Sequence, residues 1–411
     1  MLPCGKRLLI SVIVLISVIA VSASMTEKLL KVPLFQVGEL WLKSASDIIG
    51  RILSIFTTVP DFYAVSTYIV IPLVLVSVYY LYVLFFVPLN RIRILGDIGY
   101  IEEGKFSMKE IANSVRKRRL VGDIPPVYPN GWFGVVESFQ IKKGEAKNIS
   151  MIGLNLAVFR AEDGHIHAID AYCPHMGANL AAGGRVVGNC LECPFHGWLF
   201  RGHDGKCTKI PYAEKVPEGA GVKSYVTLET NGWIYLWHHA EGIEPNWTPP
   251  ALDEVNNGNW TYRGRSEHYV NSHIEEIPEN GADVYHLQQV HGPIMTAGID
   301  LRYMWNQLWS FANHQWTASW EPCPAPDQHI GALKLTHSMN IFGKRFSPID
   351  LNVAAKQVER DVMIWNNKRY EAKPFFVKSK EDSLINKHRR WYSQFYSEHS
   401  PRLNFQKDTL D

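Results

Sequence analysis

Residues 173–198, CPHMGANLAAGGRVVGNCLECPFHGW, hold three cysteines and two histidines, in a chain of 411 residues that has six cysteines in all. Four of the six, Cys173, Cys190, Cys193 and Cys207, fall between positions 173 and 207, while Cys4 and Cys323 stand apart. Crowding of this kind in so long a chain does not make a disulfide framework. It reads as a metal site kept in a reducing compartment. A structural zinc site on Cys190-x-x-Cys193 and His196 is the plain alternative. It leaves Cys173-x-His175, and the proline and glycine that accompany each pair, without a purpose.

The full set does better. Cys173 and His175 form Cys-x-His, and Cys193 and His196 form Cys-x-x-His. Two mixed pairs on two loops are the ligand set of a 2Fe-2S cluster in which one iron takes two thiolates and the other two imidazoles. Gly177, Gly183, Gly184 and Gly197 allow the main chain close to the cluster, and Pro174 and Pro194 stiffen the loops. Cys190 is then a small neighbour of the site. His165, His167, His203, His238 and His239 have no partner at ligand spacing. Around the motif, short β-rich runs such as NGWFGVVES, KNISMIGLNLAVFRA and GWIYLWHH, separated by turn signals, predict a small antiparallel domain.

Forty-two basic residues against 40 acidic ones leave a net charge of +2, which demands no nucleic-acid partner. A hydrophobic fraction of 46% rules out a disordered chain. Residues 8–24 read as a signal peptide or a signal anchor. Residues 62–90 contain no charge, and about 20 apolar residues span a bilayer, so a transmembrane helix is expected there. Arg91, Arg93, Lys105, Lys109 and the 116–119 cluster follow it and predict a cytosolic catalytic part. The expected organisation is a leader or anchor at 1–24, a lumenal segment at 25–61, a membrane helix at 62–90, a linker at 91–126, an iron-sulfur domain at 127–240 and a second-metal domain at 241–411. The expected location is the endoplasmic reticulum membrane, with a single-pass or two-pass topology.

The stretches NGWFGVVES, NLAVFRAEDGHIHAIDAYCPHMGANL, CLECPFHGWLF and GKCTKIPY resemble the Rieske domain of Rieske non-haem iron oxygenases. That resemblance implies a second iron downstream, and ENGADVYHLQQVHG carries the matching Asp-x-x-His-x-x-x-x-His pattern. By it, His286 and His291 ligate a mononuclear Fe(II), and QVERDVMIW supplies Asp361 as the carboxylate of a facial triad. On a regular helix these histidines lie about 140° apart, so the helix has to distort or stop near Gly292-Pro293. The tail RRWYSQFYSE and the N-terminal apolar run resemble the steroid-handling branch, in which bacterial ketosteroid 9-hydroxylase oxygenase components and animal cholesterol 7-desaturases fall.

The resemblance implies an α+β catalytic domain of helix-grip type with an antiparallel sheet, and electrons from NAD(P)H through a separate reductase. It further implies dioxygen and a membrane-resident sterol as substrates, with desaturation at the 7,8 bond or, as the alternative, hydroxylation. It also implies that Asp283 hydrogen-bonds an iron histidine and a Rieske histidine of a neighbouring subunit, hence a homotrimer. A membrane-anchored electron carrier is the reading from another class. The second metal triad has no use in it.

Overall fold

The computed structural model describes residues 62–403 except 95, 98, 101–103, 119–122, 261, 263, 294, 297–298, 301–311 and 347–353. The segments expected at 1–24 and 25–61 lie outside the described residues. By contact the chain divides into Met1–Leu89 and Asn90–Asp411.

In the first unit, α1 (Phe62–Phe86) is an uncharged helix with Pro72 inside it. Among the described residues no helix is long and apolar enough to cross a membrane. This finding corrects the expected transmembrane helix at 62–90. With it go the single-pass or two-pass topology and the endoplasmic reticulum location with a cytosolic catalytic part that were argued from it.

β1 (Leu89–Arg93) starts on the last residue of the first unit, and α2 (Met108–Arg118) follows in the second. A reciprocal pair starts α2: the Ser107 hydroxyl accepts from the Glu110 backbone N–H at 3.3 Å, and the Glu110 carboxylate accepts from the Ser107 N–H at 2.8 Å. Ile111 and Ala112 of α2 pack on Tyr100.

Three antiparallel sheets follow. Their strands are β2 (Gly131–Glu137), β3 (Ala146–Met151), β4 (Leu154–Arg160), β5 (Ile166–Asp170), β6 (Arg185–Val187), β7 (Cys190–Glu192), β8 (Leu199–Arg201), β9 (Cys207–Lys209), β10 (Ser224–Tyr225), β11 (Thr227–Thr230) and β12 (Trp233–His238). The sheet orders are β10-β5-β4-β3, β11-β12-β2 and β6-β7-β8-β9.

The run Leu154–Arg160 shows why β4 sits at the centre. Strand periodicity sends Ala157 and Phe159 into one core, with Ile169, Leu191, Phe200 and the cysteines, and sends Leu156 and Val158 into another, with Ile234 and Leu236. All four β4 side chains are fully buried. Truncating Phe159 to alanine is expected to cost about 3–5 kcal/mol.

The remaining elements are α3 (Asp253–Asn256), β13 (Gly264–His268), α4 (Glu276–Ala282), α5 (His286–His291), β14 (Met295–Thr296), β15 (Ile299–Asp300), β16 (Ala312–Pro322), β17 (Gly331–Ile341), β18 (Lys344–Phe346), α6 (Ala354–Asn367) and α7 (Lys380–Tyr392). β13 pairs with β1, and β16 and β17 form a long antiparallel hairpin continued by β18. Helices gather on this hairpin: Arg389 of α7 binds Glu279 of α4 through two nitrogens, and Lys368 beyond α6 reaches Glu276 at 2.9 Å. This is the α+β arrangement with an antiparallel sheet and helices that the sequence led one to expect.

Candidate metal centres

The two cysteine–histidine loops share one main-chain pattern. In the first, the Cys173 N–H donates to the Ala178 carbonyl and Gly177 N–H to the Cys173 carbonyl, both at 2.9 Å. In the second, Cys193 N–H donates to the Trp198 carbonyl at 2.8 Å and Gly197 N–H to the Cys193 carbonyl at 3.0 Å. Gly177 and Gly197 hold the equivalent turn at φ of 73° and 70°, a region that a Cβ makes costly.

Each loop therefore presents a buried sulfur and an outer imidazole. Cys173 and Cys193 are 3% and 2% exposed and belong to one buried core cluster. The His175 and His196 rings face each other edge to face, with centroids 4.7 Å apart. His175 stacks on Trp198 at 4.9 Å, and the Trp198 indole N–H donates to the Tyr212 hydroxyl at 2.9 Å.

This donor set fits a 2Fe-2S cluster. Burial, and then the adjacent Cys193, push the Cys173 thiol up to about 11, while the backbone N–H groups of His175 and Met176 oppose that rise. Without a cation the buried Cys173 thiol stays protonated. The amides aimed at Cys173 are placed to stabilise a thiolate once a metal is bound. Cys190 lies on β7, outside both loops, with its sulfur 3.7 Å from the Thr208 hydroxyl.

His286 and His291 occupy the first and last positions of the six-residue α5, so the awkward angle of a continuous helix is met by having the helix begin and end on its two histidines. Asp283 caps the preceding helix at φ −81° and ψ 77°. Its carboxylate accepts from the backbone N–H of His286 at 3.3 Å, and its main-chain carbonyl meets the His286 Nδ1. The contact between Asp283 and the His286 ring is thus made through the backbone, and it leaves Nε2 of His286 facing the acid.

Asp361 arrives from α6. Its Oδ2 lies 3.1 Å from Nε2 of His291, and its Oδ1 lies 3.9 Å from Nε2 of His286. One ligand atom from each of His286, His291 and Asp361 lies within 4.8 Å of the others, and this is the one such group found among the described residues. Asp361 is 7% exposed and its Oδ1 is buried without a hydrogen-bond partner. A buried carboxylate oxygen left over beside two inward imidazole nitrogens is the chemistry of a two-histidine, one-carboxylate site for Fe(II).

What holds α6 against α5 escaped the sequence reading. The Arg360 guanidinium donates to the carbonyls of Val290, in the last turn of α5, and of Pro293, just beyond it. On the same helix, Glu359 pairs with Arg91 and Arg93 of β1, so the stretch expected as a linker braces the acid-bearing helix. Gly99 touches α6 closely enough that a Cβ there would stand 2.8 Å from the Met363 Cα.

The sheet supplies a third support. The Trp316 indole donates to the His291 carbonyl at 3.1 Å, and the His314 N–H donates to the Gly292 carbonyl at 2.7 Å. His314 Nδ1 lies 2.8 Å from Nε2 of His337 on the next strand. Burial first, and then His337, Arg360 and His291, hold the His314 imidazole below its ordinary value. Neither histidine was singled out from sequence, although each interrupts a strict apolar alternation on its strand.

Two family models match the chain: a Rieske [2Fe-2S] domain over residues 131–225, and a 3-ketosteroid 9alpha-hydroxylase C-terminal domain over 236–322 and 350–396. The chain is similar to a cholesterol 7-desaturase of Xenopus laevis, 44% identical over 79% of this chain and 84% of the relative. A cholesterol 7-desaturase of Caenorhabditis elegans is 37% identical over 77% of this chain and 89% of the relative. A probable 3-ketosteroid-9-alpha-monooxygenase oxygenase component of Rhodococcus rhodochrous is 30% identical over 67% of this chain and 82% of the relative.

Proposed function

Since the chain belongs to the Rieske oxygenases, in the family of the cholesterol 7-desaturases, we propose that it desaturates cholesterol at the 7,8 bond, using dioxygen and electrons drawn from NAD(P)H through a separate reductase. Two hydrogens leave neighbouring carbons, and dioxygen, two electrons and two protons end as two waters. When bound, the 2Fe-2S cluster supplies single electrons and the mononuclear Fe(II) supplies oxygen activation.

The roles of the protein's residues follow from their placement. Cys173 and Cys193 hold one iron of the cluster in a dry pocket, and His175 and His196 hold the other at the protein's surface. His286, His291 and Asp361 would hold the mononuclear iron, whose chemistry is oxygen activation. Asp283 fixes the His286 ring through Nδ1, so that Nε2 is the nitrogen offered to metal. Arg360 and Trp316 hold the main chain on either side of His291, which keeps the imidazole on Asp361. The convergence of these three ligand atoms within 4.8 Å carries the reading.

A homotrimer is the assembly that fits these residues. The His175 imidazole is exposed, and Asp283 is only half-buried. In a closed head-to-tail ring the Asp283 carboxylate of one subunit accepts from the cluster histidine of the next, which links cluster and iron across the interface.

The deciding experiment incubates the metal-loaded protein with cholesterol, reductase, NAD(P)H and oxygen and weighs the product. A sterol lighter by two hydrogens is expected. A product heavier by one oxygen would place the chain with the steroid hydroxylases, and unchanged cholesterol with both metal sites full would overturn the substrate.

A further inference from the structure

Tyr212 is 64% exposed, yet its hydroxyl is engaged within the protein. It accepts from the Trp198 indole N–H at 2.9 Å, and its ring centroid lies 6.5 Å from that of His175. A surface tyrosine ordinarily keeps its polar tip for water. Here the tip is committed to the indole on which His175 stacks, 10° from parallel and with centroids 4.9 Å apart.

The main chain carries Tyr212 to that place. Ile210 is buried in the same core as Cys173 and Cys193, and the Ala213 N–H donates to the Ile210 carbonyl at 3.2 Å, closing a tight turn over Pro211 and Tyr212. Pro211 packs on the second loop, where a Cβ at Gly197 would stand 2.9 Å from its Cγ. Trp198 closes that loop through its carbonyl, which accepts from the Cys193 N–H. The indole thus belongs to the second loop by its main chain, lies on the first loop's histidine by its ring, and is held at its N–H by Tyr212.

We propose that Tyr212 is a positioning residue for the cluster: by holding the Trp198 indole flat on His175 it fixes that imidazole and keeps the reduction potential low. The proposal deepens the reading above and rests on its assignment of His175 as a cluster ligand. Two effects of the indole act in one direction. Its electron-rich face lies against an iron ligand and opposes the negative charge that reduction adds there. It also shields one face of the imidazole from water. Two thiolates and two neutral imidazoles leave a 2Fe-2S cluster neutral overall when oxidised and anionic when reduced, so water favours the reduced form and its exclusion the oxidised one. A lower potential makes the stored electron a stronger reductant for the mononuclear iron.

The test is a redox titration of the loaded protein without substrate, followed by cluster absorption and EPR, for the parent, Y212F, W198F and the double variant. Y212F keeps the ring and removes the acceptor, and W198F removes the donor. A charge against an indole face at an exposed site shifts an equilibrium about 2–5-fold, so Y212F should raise the potential by about 20–40 mV, at about 59 mV per tenfold for one electron. In W198F no donor faces position 212, and Y212F added to it should shift the potential no further. A merely structural role would lower the unfolding midpoint or the cluster content and leave the potential in place. A parental or lowered potential in Y212F therefore overturns the proposal, as does an equal shift from Y212F with and without Trp198. If W198F fails to load its cluster, Y212F and Y212L decide it: both lack the acceptor, and a parental potential in either overturns it. His175→Ala separates this inference from the reading beneath it. A cluster that survives His175→Ala with parental absorption and EPR sinks the ligand assignment, whereas a cluster lost there, with a parental potential in Y212F, sinks only the role of Tyr212.

Discussion

The cysteine–histidine loops sit within 26 residues of each other and are braced by their own main chain, each glycine closing back on the cysteine four positions before it. The two-histidine, one-aspartate triad draws on helices whose ligands stand 70 positions apart and depends on groups from β1, β16 and α6 for its shape. A site closed by local hydrogen bonds is set by a motif. A site closed by distant contacts is set by the whole catalytic half and is correspondingly easier to loosen from outside.

The largest effect should come from striking the local site directly. Cys193→Ala removes one of two sulfurs from the loops, and both the visible cluster absorption and product formation should vanish. Cys190→Ala is the control. Its sulfur faces Thr208, so absorption should survive; a bleached Cys190→Ala protein would show that the ligand assignment is misplaced.

Asp283→Asn tests whether the two sites work together. The asparagine carbonyl can still accept from the His286 N–H, and the main-chain carbonyl on the ring is untouched, so both metals should load. A bridge to a second imidazole is lost, and product formation should fall by orders of magnitude. Single-turnover reoxidation of the reduced cluster, with substrate and oxygen present, reads this out. Reoxidation at the parental rate would remove the main ground for a trimer.

Arg360→Met addresses the distant bracing alone. The variant keeps all three ligands and frees the Val290 and Pro293 carbonyls, and mononuclear iron affinity should drop by about 10–100-fold while cluster absorption is unchanged. Glu359→Gln, which weakens the attachment to Arg91 and Arg93, should give a smaller drop. Equal loss of iron and cluster in Arg360→Met would mean that the two regions are not separable in this way.

What the sequence disclosed follows the same division. Cys173, His175, Cys193 and His196 were legible because their spacing and glycines are the loop geometry itself. His286, His291 and Asp361 were found only by resemblance, since nothing in the helix period brings two histidines at i and i+5 to one metal. Arg360 and the β1 arginines were invisible because a charge that clamps a distant carbonyl looks like any solvated charge. His314 and His337 were within reach: they stand where Trp316, Leu335 and Met339 show an apolar stripe, and a polar residue in such a stripe asks for a reason. The uncharged run at 62–90 misled: among the described residues no helix is long and apolar enough to cross a membrane.

The smallest expected effect separates the regions by pH. The β4-centred cores around the cysteine loops are apolar, whereas the helical side of the catalytic half buries His388, Glu275, Glu276 and Glu279. His388 is 0% exposed between Trp320, Trp391 and Tyr392, and burial lowers its pKa from 6.5 to about 4. A histidine lowered in this way is neutral when folded, while the unfolded chain takes up a proton below 6.5. Its contribution is therefore intact above about pH 6.5 and is lost as pH falls towards 4. Between pH 7.5 and 5.5 the loss amounts to about 1 kcal/mol.

Glu275 works in the opposite sense. Burial raises it to about 7, so its destabilising ionisation is relieved by the same acidification. A pH scan of the parent alone therefore mixes the two. His388→Phe keeps the aromatic packing and Glu275, and the difference in unfolding free energy between parent and variant cancels the glutamate. That difference should move by about 1 kcal/mol in the variant's favour from pH 7.5 to 5.5. A flat difference would show that His388 is not the acid-sensitive group and would move the pH response of the catalytic half to the buried glutamates.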